Sequence, residues 1–176
     1  GIVFMEWEIK KSSNGCILCN KAFLEDEEYY SALFDESNIF IRKDFCTLCW
    51  DKGKGEGLFS FWKTKVPKND KSPQPVINMD VLLDVFKRLE GNVETNQRNL
   101  RYVLALYLIR KRVFKLKSLK KQDKEESIVL YYPKEDREFN VLNLNLKEEE
   151  VETITAEMYQ LLNYPYLDHE VPANAV

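Results

Sequence analysis

The four cysteines of this chain fall into two pairs with the same spacing, Cys16 and Cys19 in "GCILCN" and Cys46 and Cys49 in "DFCTLCW". Two residues between thiolates allow a tight turn that puts both sulfurs on one edge of a tetrahedron, and zinc takes four such ligands at about 2.3 Å. Twenty-six residues separate Cys19 from Cys46, more than the roughly fifteen to twenty of the common pattern. A β-hairpin absorbs the difference, because antiparallel strands return the chain to its start. Other readings of two CxxC pairs are a mononuclear iron site, redox dithiols and plain buried thiols. A redox motif belongs beside a βαβ pattern, which the sequence lacks. A four-sulfur set is also closed, whereas a catalytic zinc keeps a position open for water. The expectation is one structural Zn²⁺ held by Cys16, Cys19, Cys46 and Cys49, with iron as the second choice.

The rest of the chain organises around that motif. Residues 66–76, "VPKNDKSPQPV", place three prolines among polar residues. Proline fixes φ and biases its preceding neighbour to extended geometry. We therefore expect a β-rich zinc-binding lobe at 1–66, a linker at 67–75 and an α+β lobe at 76–176. In the first lobe, "EYYSALF" (28–34) and "IFIRKDF" (39–45) flank the turn-forming "DESN" and predict the hairpin. Residues 58–65 read as a further strand or a short amphipathic piece. In the second lobe, Asn78 caps a helix with Val81, Leu82, Val85, Phe86 and Leu89 at helical spacing, and Gly91 ends it. A second helix from about Thr95 to Arg112 is apolar nearly all round at 103–109, so it is the central buried element. Strands at 113–119, 127–132 and 138–144 suggest an antiparallel meander. A last helix starts near Asn145 with Glu148 three on, a capping-box pattern, and carries Val151, Ile154, Met158, Leu161 and Leu162 as one core-facing stripe. The fold class is α+β: a small zinc-bound hairpin lobe followed by helix, helix, meander and helix.

Knuckle, hairpin and second knuckle over residues 14–55 resemble zinc-ribbon and treble-clef zinc fingers. A treble clef opens a helix at its second knuckle, and in "CWDKGKGEG" the glycines shorten any helix to a turn. The resemblance implies a structural metal and no particular activity. The whole chain also looks like small bacterial proteins of unknown function that carry a CxxC–CxxC front and a helical segment like "RYVLALYLIRK" (101–111).

No catalytic grouping stands out, so we expect no enzyme. The single histidine, His169, has no second histidine or spare cysteine beside it, and its neighbours Asp168 and Glu170 read as a solvated tail. "GKGEG" (53–57) has neither dinucleotide nor P-loop spacing. The acidic run 25–28 reads as a solvated loop.

Charge is placed unevenly. The net charge is −3, yet the charged residues of 98–124 are all basic except Asp123, and those of 147–170 are dominated by acidic ones. Such asymmetry marks either a nucleic-acid surface or two segments that balance each other or face solvent. Lys52, Lys54, Trp62 and Lys63, with Trp50, Phe59 and Phe61 nearby, combine cations with aromatic faces suited to stacked bases. The alternative is that these aromatics pack the small lobe onto the second lobe. Arg110, Lys111, Arg112, Lys115 and Lys117 follow the central helix, in an order similar to a winged helix but one helix short. The leading expectation is thus a zinc-binding adaptor with a protein partner, and the alternative a nucleic-acid-binding regulator. The start "GIVFMEWEIK" lacks a signal peptide's basic region and long apolar stretch. The longest apolar run, 103–109, falls far short of the ~20 residues of a membrane span. A cytoplasmic location follows, and paired cysteines suit metal binding there better than disulfides.

Overall fold

In the computed structural model, which describes residues 15–66 and 78–162, the expected hairpin forms two strands of a three-stranded sheet. Strands β1 (Glu28–Glu36) and β2 (Ile39–Cys46) pair antiparallel from Glu36 with Ile39 to Tyr29 with Cys46. The turn is the two residues Ser37 and Asn38, both left-handed at φ 53° and 68°. That twist matches the twist of paired strands, and the Asn38 N–H donates to Asp35 Oδ1 at 3.0 Å. After Cys49 comes a single turn, α1 (Trp50–Gly53), as short as the glycines predicted. Strand β3 (Leu58–Lys65) then pairs with the other edge of β1, giving the order β2-β1-β3. This settles the open reading of 58–65 in favour of a strand.

Both faces of this sheet carry buried side chains. On one lie Tyr30, Ala32, Phe34 and Phe45, and Trp50 stacks on Tyr30 with ring centroids 4.8 Å apart and packs against Phe45 and Phe61. On the other lie Ser31, Leu33, Arg42 and Asp44. Helix α2 (Met79–Arg88) joins β3 through Asp84, which accepts a 2.8 Å hydrogen bond from Ser60 Oγ. Asn78 caps α2 as expected, its Oδ1 accepting from the Asp80 N–H at 2.9 Å, and Gly91 lies beyond its end at φ +80°.

The described residues divide into two compact units, one of 15–66, 78–88 and 157–162, the other of 89–156. The linker 67–75 lies outside the described residues. The second unit is built on α3 (Thr95–Arg110), whose Leu100, Val103, Leu104, Tyr107 and Leu108 are buried. It ends at Arg110, two residues short of the expected limit, and Arg112 turns left-handed at φ 61°. Strands β4 (Lys115–Gln122), β5 (Glu125–Tyr132) and β6 (Arg137–Leu142) form the expected meander, in the order β4-β5-β6. Phe114 closes the core against Tyr132 and Phe139.

The last helix, α4 (Glu148–Leu162), starts later than the sequence suggested. The first helical bond is Val151 N–H to Lys147 O at 3.0 Å, and Glu150 Oε1 accepts from the Lys147 N–H at 3.3 Å. Half a capping box therefore forms two residues downstream of the expected Asn145–Glu148 pair. Asn145 is left-handed at φ 49°, which removes it from the helix start. The stripe holds: Met158, Leu161 and Leu162 are buried, with Val151 and Ile154 half-buried.

Candidate metal centre

The first knuckle is a tight loop closed by its own backbone. Gly15 bridges Ala22, the Cys16 N–H donates to Lys21 O at 2.9 Å, and the Asn20 N–H donates to Cys16 O at 2.9 Å. Asn20 takes the left-handed conformation, φ 61°, that lets the loop reverse. One further bond ties this loop to the hairpin: the Ile17 N–H donates to Asp44 O at 2.9 Å. The second knuckle begins where β2 ends. The Cys49 N–H donates to Cys46 O at 3.1 Å, and α1 continues with the Gly53 N–H on Cys49 O at 2.9 Å. Gly53 is required there for space, since a Cβ would lie 2.4 Å from Cε1 of the buried Phe45 ring.

These two loops bring all four sulfurs within 4.8 Å of one another. The Cys19 and Cys46 sulfurs, which the hairpin had to reunite, are 3.9 Å apart. A tetrahedron with 2.3 Å metal–sulfur bonds has edges of about 3.8 Å, so the cluster is close to the size a metal ion demands. Cys16 and Cys46 are buried, Cys49 is half-buried and Cys19 is exposed.

The clustered thiols perturb one another's proton affinities. Burial raises the Cys16 thiol, but backbone N–H groups of Cys46, Cys19 and Leu18 directed at its sulfur outweigh it and bring the pKa down to about 7. Cys49 is pushed up to about 12, first by its hydrogen bond with the Cys46 sulfur, then by burial and by Cys16 and Cys19. A bound cation would let every coordinating thiol deprotonate. The four cysteines therefore form a group able to hold a metal ion. Lys21 and Lys43, candidates to balance the site's charge, are engaged by Glu27 and Glu36, each at 2.8 Å.

The other candidate residues separate. Trp50 is buried in the core of its own sheet. Trp62 is half-buried with the Arg42 guanidinium 5.5 Å from its ring centroid. Lys54 pairs with Asp51 and Lys63 with Glu28, each at 3.0 Å, and Lys52 is exposed. In the second unit Arg110, Lys111, Arg112 and Lys115 are exposed, while Lys117 pairs with Glu138. Arg101, counted with the basic segment in the sequence, is instead buried and donates to Asn140 O at 2.9 Å. His169, with Asp168 and Glu170, lies outside the described residues.

The sequence reading missed what supports the knuckles. Arg42, Asp44 and Ser31 form a buried network on the face of β2 that also carries Cys46. Asp44 Oδ1 accepts from Ser31 Oγ at 2.6 Å and from Arg42 Nε at 3.2 Å, and Arg42 donates onward to Ser31 Oγ and Leu161 O. Alternation along "IFIRKDFC" does put Arg42, Asp44 and Cys46 on one face, but charged residues at period two ordinarily signal the solvent side.

Comparison with protein-family models, curated proteins and solved structures gave no significant match to this chain.

Proposed function

We propose that this chain is a non-enzymatic interaction protein whose first unit is organised by one structural zinc ion on Cys16, Cys19, Cys46 and Cys49. The observation that carries the reading is the convergence of four sulfurs within 4.8 Å. Four thiolates fill a tetrahedral ion's coordination, leaving no position for a substrate or an activated water. The knuckle–hairpin–knuckle order with one helical turn supports the zinc-ribbon and treble-clef likeness. Iron also accepts four thiolates and is the second choice. The role of such a metal is folding free energy, with apparent values of about 10–16 kcal/mol for structural zinc. The reading places the protein in the cytoplasm, where unliganded thiols stay reduced; no helix among the described residues is long and apolar enough to cross a membrane. Nucleic-acid binding draws less support, because Trp50 is buried and Lys54, Lys63 and Lys117 are ion-paired.

The deciding experiment is elemental analysis of protein purified without added metal, read beside a titration of free thiols. The expected result is about one zinc per chain with the thiols protected until a chelator is added. Metal-free protein with oxidised cysteine pairs refutes the reading, and stoichiometric iron refutes the choice of zinc.

A further inference from the structure

Among the described residues β4 is the strand without a single buried or half-buried side chain: all eight residues of Lys115–Gln122 are exposed. It lies at an edge of its sheet, paired only with β5. Strict alternation would send Leu116 and Leu119, three apart, to opposite faces. The ladder does otherwise. Leu116 faces Leu130, the register slips past Lys117, and Leu119 then faces Ile128. Residues directly opposite in an antiparallel pair share a face. Leu130 and Ile128 are two apart on β5, so the bulge puts both leucines on one side. That side is buried on β5 and continued on β6 by Phe139 opposite Leu130 and Val141 opposite Ile128, while Val129 is buried on the other face. Yet Leu116 is 56% and Leu119 59% exposed, against 7% or less for those four partners. The apolar face of the sheet thus runs onto β4 and stops there uncovered. Lys115 and Lys120, opposite Tyr131 and Ser127, lie on the other face.

We propose that the outer edge of β4 receives an extended segment of a partner protein as an added strand, with apolar side chains beside Leu116 and Leu119 and acidic side chains toward Lys115 and Lys120. Main-chain hydrogen bonds give such an addition its affinity, and alternate side chains give it selectivity. The charge selects the partner. Lys115, Lys120 and Lys121 are exposed and in no ion pair among the described residues. Lysines and a bulge on an edge strand guard against pairing of like edges; two copies of β4 side by side would set lysines against lysines. A strand bearing carboxylates turns the same repulsion into attraction. A phosphate backbone would leave both leucines uncovered. The surface therefore names a partner class for the interaction role proposed above, through a part of the chain separate from the cysteines.

The test is amide hydrogen exchange, resolved by residue, on the full chain loaded with zinc, its metal content measured on the same sample. The probe is a synthetic eight-residue peptide of alternating valine and glutamate. Controls are the valine–lysine peptide, an oligoglutamate of equal charge and a short DNA duplex. The expected result is that the valine–glutamate peptide slows exchange at the outward amides of β4 by about tenfold or more, that the valine–lysine peptide and oligoglutamate do not, and that Leu119→Lys abolishes the effect. Leu119 is exposed, so this variant keeps its fold, which the unchanged exchange of β5 and β6 checks. No protection at millimolar peptide overturns the proposal. Equal protection by oligoglutamate, insensitivity to Leu119→Lys, or protection by DNA alone each overturns it as well. Any of these leaves the metal reading standing, because metal content is read independently.

Discussion

Replacing Asp44 by alanine should be among the most damaging single changes in the first unit, although Asp44 touches no metal ligand's side chain. The Arg42 and Asp44 side chains are 3% and 1% exposed. Removing the carboxylate takes the 3.2 Å ion pair from a buried guanidinium whose other contacts include Ser31 Oγ at 2.9 Å, Leu161 O at 3.1 Å and the Trp62 ring. Breaking a buried pair in this way costs about 3–5 kcal/mol. Here the lower end applies, because Asp44 Oδ2 is buried with no hydrogen-bond partner among the described residues and the native pair is itself incompletely satisfied. The double variant Arg42→Met with Asp44→Leu removes both charges and keeps apolar volume, so it should lie within about 1 kcal/mol of the parent. The measurement is urea unfolding followed by tryptophan fluorescence, with zinc saturating throughout so that metal binding is constant. At about 2 kcal/mol per molar urea, a 3 kcal/mol loss moves the midpoint down by about 1.5 M. An Asp44→Ala loss below about 1 kcal/mol, or a double variant as unstable as the two singles summed, would refute this reasoning.

Three further outcomes follow from the geometry. Cys49→Ser removes one of four thiolates; sharing about 10–16 kcal/mol over four ligands gives a loss on the order of 3 kcal/mol, or about a hundredfold in zinc affinity, measurable by competition with a chromogenic chelator. Gly53→Ala forces a methyl group into the Phe45 ring and should cost about 1–3 kcal/mol in the same urea assay, whereas Gly55→Ala, whose Cβ would meet Gly53 O at an ordinary 3.9 Å, should not. Burial pushes the Glu157 carboxyl up to about 7, from 4.5. Its folded-state pKa is therefore above the unfolded value, so protonation favours the fold. The contribution is complete below pH 4.5 and lost as pH rises through 7. Glu157→Gln should thus stabilise the chain at pH 8 by about 1–2 kcal/mol, solvent screening of this half-buried group reducing the full effect, with the gain vanishing toward pH 4.5, in melts at a series of pH values. An advantage that is flat with pH would contradict the assignment.

Much of the local structure was legible in the residues themselves. The "DESN" stretch specified a turn because asparagine tolerates φ > 0 there, and the glycines after Cys49 limited α1 because they disfavour a helix interior. The edges of elements were less legible. Asn145 and Glu148 had the composition of a capping box, but the backbone at Asn145 took a left-handed turn and Glu150 found the Lys147 N–H instead. Caps are decided by which N–H is left exposed once the helix has docked, and composition alone cannot say. Arg101 belonged by sequence to a basic surface, yet its position on α3 turns it into the core to meet Asn140 O. A charge count has no knowledge of helix phase relative to a neighbouring sheet.

The four-cysteine site shows where the division lies. Spacing alone determined that Cys16 and Cys19, and Cys46 and Cys49, form two knuckles, because a two-residue gap restricts the reach of each pair. Pairing of β1 with β2 could also be anticipated, since one strand's return is a local event. Tertiary structure decided the rest: that β3 flanks β1, that Gly53 must clear Phe45, that Arg42 and Asp44 are buried beside Cys46, and that a bulge at Lys117 brings Leu116 and Leu119 to one face. Each depends on a neighbour distant in sequence or on a register shift, and neither leaves a periodic trace in the residues that respond to it.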